Sequence, residues 1–311
     1  MHEPWAIILA GGDGTRLKPL TQRIHGDARP KQFCSILGGE TLLDATRRRV
    51  ELIVRPDRQV VVVTAAHAGY YAGLERELLP DRLVVQPLNR GTAAGVLYPL
   101  LRVADLGGRD VPVAIFPSDH AVLDDGPFAA CVAGALDVAR AEPARVVLLG
   151  IEPERPETEY GWIEPAATPL PLDGEPAFPI RRFWEKPSAA TARALFARGC
   201  LWNSFVMVGR VSAFRAMLAA TVPDLVAAFE PVARALGTRR EARAVDRVYG
   251  SLPELNFSSH VLERAPGRLL AVRVKNVGWS DLGNPARVAE ALARAGRQPP
   301  WLAQRASSAT A

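Results

Sequence analysis

The first 151 residues alternate short runs of β-branched and aliphatic residues with segments of helical length, and no other feature restricts the fold as tightly. Residues 59–64 (QVVVVT) have no polar alternate, which marks a strand covered on both faces rather than one half open to water. Strands are expected at residues 5–10, 59–64, 82–85, 111–116 and 145–151, with helices at 41–54, 68–79, 92–106 and 127–141. Doubly covered strands separated by helices predict a mostly parallel, mixed α/β sheet flanked by helices.

Beyond residue 151 the rhythm breaks. Two proline-rich stretches, IEPERPETEYGWIEP and ATPLPLDGEPAFP, read as excursions from the sheet or as a hairpin. Strands follow at 180–185, 201–208 and 268–274, helices within 212–236, and a closing helix at 285–295. Residues 1–296 are expected to form one catalytic domain and 297–311 a flexible tail. No run approaches the roughly 20 apolar residues of a membrane helix. The opening MHEPW lacks the basic and apolar regions of a secretion signal. Cys34, Cys131 and Cys200 are too few and too scattered for a metal pair or a disulfide framework, so a cytoplasmic setting is expected. The net charge of +5 rests on scattered arginines without interleaved aromatics, which argues against a nucleic-acid partner.

Immediately after the first strand comes LAGGDGTRLKPLT, residues 9–21. Ligands of open α/β sheets sit at the carboxyl ends of strands, and Gly11, Gly12 and Gly14 let backbone N–H groups approach a phosphate. Arg16 and Lys18 would supply counter-charge. The spacing is neither of the two familiar phosphate loops: there is no Gly-Lys-Ser/Thr ending, and Leu17 stands where a dinucleotide fingerprint needs its third glycine.

The string GGDGTRLKPLT, followed by Arg29-Pro30-Lys31-Gln32-Phe33, resembles the opening of sugar-1-phosphate nucleotidyltransferases, and among them mannose-1-phosphate guanylyltransferases in particular. Further motifs occur in the same order, from Trp5 to about Gly283. The resemblance implies a Rossmann-like fold of the nucleotide-diphospho-sugar transferase type, with a sugar-binding subregion in the second half. It implies formation of GDP-mannose and pyrophosphate from GTP and α-D-mannose 1-phosphate, with Mg²⁺ as cofactor, no nucleic acid or membrane partner, and room for a homodimer.

On that resemblance, Leu9, Ala10, Gly11, Gly12, Gly14, Thr15 and Arg16 contact the nucleotide, and Lys31 lies near the transferred phosphorus. Asn89, Gly91 and Thr92 face base and ribose, although Ala94-Gly95 replaces the Pro-Ala common in the family. Asp119, in Phe116-Pro117-Ser118-Asp119-His120, and Asp281, in Gly278-Trp279-Ser280-Asp281, are the implied metal ligands. Gly161, Glu185, Lys186 and Asn203 are implied for the sugar phosphate, with Lys186 on its phosphate. Ser258 stands where some relatives carry an aspartate.

The chemistry suits these residues. A sugar 1-phosphate is already ionised, so its attack on the α-phosphorus needs no general base; repulsion between two polyanions is the obstacle, and positioning with charge neutralisation answers it. Duller roles stand beside each assignment. Asp119 and Asp281 could cap helices, His120 is expected to support a neighbour rather than act as a base, and Trp162, Trp184, Trp202 and Trp279 could be core, with sugar stacking open for Trp162 alone. UTP or dTTP with glucose 1-phosphate, and a non-catalytic nucleotide-sugar binder, are the competing functions.

Overall fold

A computed structural model describes residues 3–302. Its centre is a nine-stranded sheet of β1 (Trp5–Leu9), β2 (Gln59–Thr64), β3 (Leu83–Gln86), β4 (Pro112–Pro117), β5 (Val146–Ile151), β6 (Trp162–Pro165), β7 (Ala177–Trp184), β8 (Leu201–Arg210) and β9 (Leu269–Val274), in the order β3-β2-β1-β4-β8-β5-β9-β7-β6. β1 pairs in parallel with both β2 and β4, and β5 with β9. β8 runs antiparallel to β4 and β5. The expected parallel α/β half is therefore present, and an antiparallel half is built onto it through β8.

Alternate residues of β1 feed opposite faces: Trp5 and Ile7 pack into one apolar core, Ala6 and Ile8 into the other. The long helices Gly91–Gly107 and Asp125–Ala141 cover those two faces. The helix expected over 68–79 is two short turns, Ala68–Tyr71 and Leu74–Glu77, with Gly73, a poor helix former, between them. The proline-rich region resolves as a hairpin, with Trp162 opposite Trp184 and Ile163 opposite Phe183. Helices Lys18–His25, Ala189–Ala197 and Glu241–Ser251 have no counterpart among the expected elements. Part of the expected tail instead packs: Trp301 is buried and its Nε1 donates to the Ile36 carbonyl at 3.1 Å. Residues 303–311, the rest of that expectation, lie outside the described residues.

Two topological features place the site. The sheet order reverses at β1, which has β2 on one side and β4 on the other, so a crevice opens beyond the carboxyl ends of β1 and β4. β8 then changes partners along its length: its last residues pair with β4, while Leu201 and Trp202 pair with β6. Between them Phe205 takes a left-handed φ of 60°, and Asn203 Oδ1 accepts from the Phe205 amide at 3.1 Å.

Candidate active site

A cleft of about 390 Å³ lies over these strand ends. On one side stands the glycine loop. Gln32 is buried, and its Nε2 donates to the carbonyls of Ala10 at 2.9 Å and Gly12 at 2.7 Å. Thr64 Oγ1 donates to the Gly11 carbonyl at 2.9 Å. Three consecutive carbonyls are thus tied back into the protein, whereas the amides of Gly11, Gly12, Asp13 and Gly14 have no acceptor among the described residues. A loop in that state offers donors to an anion. Gly14 has φ 57°, and a Cβ there would lie 2.9 Å from the Lys31 amide, so the loop and the Lys31 segment fit together only through glycine.

Lys31 is buried at the base of this loop. Its Nζ lies 3.2 Å from Asp119 Oδ2 and 2.5 Å from the Asp281 carbonyl. Asp119 follows β4 closely, and paired hydrogen bonds between Ala121 and Ser280 lay the residue 281 segment alongside it. Both aspartates line the cleft. Neither caps a helix: the following helices start from Asp124 and Asn284. Burial would push the Asp119 carboxyl up, but Lys31 and His120 outweigh it and hold it below the usual aspartate range. Asp281 is likewise held low against burial by His120, Arg287 and Lys31. Burial pushes His120 down against the opposing pull of Asp119; its Nε2 is 3.5 Å from Asp119 Oδ1 and its ring meets Trp279 edge-on.

Asp281 is held by Tyr160, which precedes Gly161 in a segment that resembles the family's, and by Arg287, which lies outside every motif. Tyr160 Oη donates to its Oδ1 at 3.1 Å, and Arg287 Nη1 donates to both carboxylate oxygens at 3.0 Å. Arg287 also pairs with Glu157 at 2.9 Å and lies over the Tyr160 ring. No group of three or more potential metal ligands exists among the described residues. Two carboxylates with hard oxygen donors, leaving further positions to water and phosphate, fit Mg²⁺, which keeps several waters.

Opposite the loop, Gly161, Glu185 and Asn203 line the cleft together. A Cβ on Gly161 would come within 2.9 Å of Phe183, 3.1 Å of Glu185 Oε2 and 3.4 Å of Asn203 Cβ, so a bare backbone is required there. Burial raises the Glu185 carboxyl above the usual glutamate range, with Lys186 only partly opposing it. Trp162 is fully buried, with its Nε1 bound to the Glu157 carbonyl at 2.7 Å; it is core, and sugar stacking is excluded. Its neighbour Tyr160 does line the cleft, as do Phe205 and Trp279.

Other expected residues divide. Leu9, Gly11, Gly12, Asn89, Gly91 and Thr92 line the cleft. Ala10 is buried beneath it, contributing its carbonyl to Gln32. Gly14, Thr15 and Arg16 line an adjoining recess with Lys31 and Asp119. Arg16 is exposed and pairs with Glu159 across the opening at 2.9 Å. Lys186 does not line the cleft: it is exposed, at a turn with φ 44°. Gln86, which lies outside every motif, is buried and lines the cleft between Gly11 and Gly95.

The chain is similar to known proteins along most of its length. The profile of the family described as Nucleotidyl transferase matches residues 5–297. A mannose-1-phosphate guanylyltransferase of Sinorhizobium fredii is 32% identical over 283 residues, covering 89% of this chain and 52% of its own. The xanthan biosynthesis protein XanB of Xanthomonas campestris is 31% identical over 290 residues, covering 91% of this chain and 58% of its own. The chain therefore spans little more than half the length of these curated relatives. A crystal structure from Thermus thermophilus, titled mannose-1-phosphate geranyltransferase, superposes with a TM-score of 0.77 at 31% identity, covering 96% of this chain and 80% of that one. With the family profile matched across nearly all of its length, the chain belongs to the nucleotidyl transferase family.

Proposed function

We propose that this chain joins a sugar 1-phosphate to the nucleotidyl group of a nucleoside triphosphate, with GTP and α-D-mannose 1-phosphate as the pair, making GDP-mannose and pyrophosphate. The observation that carries the reading is Lys31, whose ammonium touches the Asp119 carboxylate and the Asp281 carbonyl at the foot of a loop with free amides. The names of the relatives support the choice of mannose 1-phosphate and of guanylyl transfer.

In the reaction, a sugar-phosphate oxygen forms a bond to the α-phosphorus while the bond from that phosphorus to the β-phosphate bridging oxygen breaks, its electron pair leaving with pyrophosphate. No proton need be removed from the nucleophile. The loop amides bind the triphosphate, and Lys31 and Arg16 offset its charge. Glu185 and Asn203 accept and donate hydrogen bonds to sugar hydroxyls beside Gly161. Asp119 and Asp281 would hold Mg²⁺, which when bound supplies further neutralisation of phosphate charge. A cytoplasmic setting suits such substrates; among the described residues no single helix is long and apolar enough to cross a membrane. A homodimer is part of the same proposal.

Pyrophosphate release measured over a panel of nucleoside triphosphates and sugar 1-phosphates tests the reading. The highest kcat/KM is expected with GTP and mannose 1-phosphate. Preference for UTP or dTTP with glucose 1-phosphate would overturn the substrate pair, and no turnover with any pair would overturn the reaction.

A further inference from the structure

The Glu241–Ser251 helix reaches the floor of the cleft through one side chain. Tyr249 is completely buried against Phe229 and Tyr98, and its hydroxyl donates to Gln86 Oε1 at 3.1 Å. The Tyr249 carbonyl accepts from Arg90 Nε at 2.8 Å, so the same residue also fastens the segment that carries Asn89 and Gly91. Gln86 lines the cleft beyond the hydroxyl. Its Nε2 lies against Gly11, where a Cβ would sit 2.5 Å away, and it has no acceptor among the described residues. A Cβ at Gly95 would be 3.4 Å from Oε1, so the small residue at that position gives the amide room.

We propose that Tyr249 is a positioning residue for base selection: it holds the Gln86 amide with its NH₂ group toward the nucleobase, so that a keto edge is accepted and an amino edge refused. This rests on the nucleotide-binding reading of the cleft given above. The physical reason is hydrogen-bond accounting. A side-chain amide can turn over and exchange its donor for its acceptor at little cost in shape. Burial pushes the Tyr249 phenol up, so it stays protonated, and Gln86 Oε1 is the one acceptor for its O–H among the described residues. Turning the amide would leave that buried O–H unpaired, which carries a full desolvation penalty. The NH₂ thus stays on the cleft side, where it matches the O6 of guanine or hypoxanthine and opposes the N6 amino group of adenine.

The test uses the whole protein with ITP and ATP, whose bases carry a keto and an amino group at position 6. Affinities come from calorimetry without sugar phosphate, and kcat/KM from pyrophosphate release. Wild type is expected to favour ITP by at least about tenfold, as sites built on a hydrogen bond discriminate. Tyr249→Phe, which keeps the ring and deletes the hydroxyl, should lose about tenfold of that ratio while kcat with the best nucleotide stays within about twofold. An unchanged ITP-to-ATP ratio in Tyr249→Phe, or a wild type that favours ATP, overturns the proposal. Should Tyr249→Phe fail to fold, Gln86→Glu replaces the donor by an acceptor and must reduce or invert the ratio; an unchanged ratio there also overturns it. Tighter binding of UTP than of GTP would remove the guanylyl assignment and leave keto selection standing. Nucleotide binding with the expected ratio but no sugar-nucleotide product would remove the transfer reaction alone.

Discussion

On the side of the cleft proposed for the nucleotide the backbone is held from behind: Gln32 and Thr64 occupy three loop carbonyls, and Lys31 is buried between two aspartate segments. On the side proposed for the sugar, shape does the holding, since Gly161 leaves no room for a methyl group between Phe183, Glu185 and Asn203. Left-handed non-glycine residues occur on both sides, Phe205 at φ 60° and Lys186 at φ 44° on this one and Leu282 at φ 48° beside Asp281 on the other. Charge does divide the two sides. The Asp119 and Asp281 carboxyls are held low, whereas burial holds the Glu185 carboxyl high. A phosphate-binding half needs fixed donors and ionised ligands before substrate arrives; a hydroxyl-reading half needs a tight, dry wall. The difference explains why one half is rigid through hydrogen bonds and the other selective through packing.

The comparison breaks first at Asp119. Asp119→Asn should lower turnover by about 10³-fold, the scale of losing one electrostatic stabiliser, with a melting curve close to wild type and weakened Mg²⁺ dependence. Near-normal turnover would show that the ionised carboxylate is not needed. Gly161→Ala should raise KM for the sugar phosphate by roughly 100-fold through the close contacts at Glu185 and Phe183, while GTP binding measured by calorimetry stays unchanged. Equal loss for both substrates would mean that the two halves are not independent. Gln32→Leu frees the carbonyls of Ala10 and Gly12 and should cost about 1–2 kcal/mol of nucleotide affinity, roughly tenfold, with little change in KM for the sugar phosphate.

The smallest effect sharpens the contrast in charge. Because the folded pKa of Glu185 is raised, its contribution to stability is present below the ordinary glutamate range and fades as pH rises through the raised value. Glu185→Gln removes that loss, so the variant should melt at or a few degrees above wild type at neutral pH. It should lose the advantage on acidification. The depressed aspartates act in the opposite sense, their contribution fading as pH falls through their folded values. Melting temperatures of wild type and variant across acid and neutral pH check both signs, and parallel curves would contradict the raised Glu185.

Much of this is legible in the chain itself. The uninterrupted apolar run of β2 announces a doubly covered strand, and the glycine string places the loop proposed for phosphate after β1 because loop chemistry is local in sequence. Asp119 and Asp281 stand out by their motifs, and the Ala121–Ser280 pairing shows how they meet. Contacts that join distant segments leave no local signal. Tyr249 meets Gln86 across 163 positions, and nothing in its neighbourhood sets it apart from a core tyrosine; Tyr160 is marked by its place beside Gly161, but its bond to Asp281 across 121 positions is not. Trp162 shows the converse: an aromatic beside a glycine expected to face the sugar reads as a stacking surface, yet its ring is fully buried with Nε1 bound to the Glu157 carbonyl, while Tyr160 lines the cleft.

The hydrogen bond from Lys31 to the Asp281 carbonyl closes a loop of 250 positions. During synthesis, the lysine and the glycine string leave the ribosome long before residue 281 does. A growing chain can therefore pair its first parallel strands, yet it lacks the second carboxylate of the cleft until Asp281, beyond the end of β9 at Val274, has emerged. The cleft that carries the proposed reaction is therefore completed late, when its C-terminal segment joins the N-terminal one.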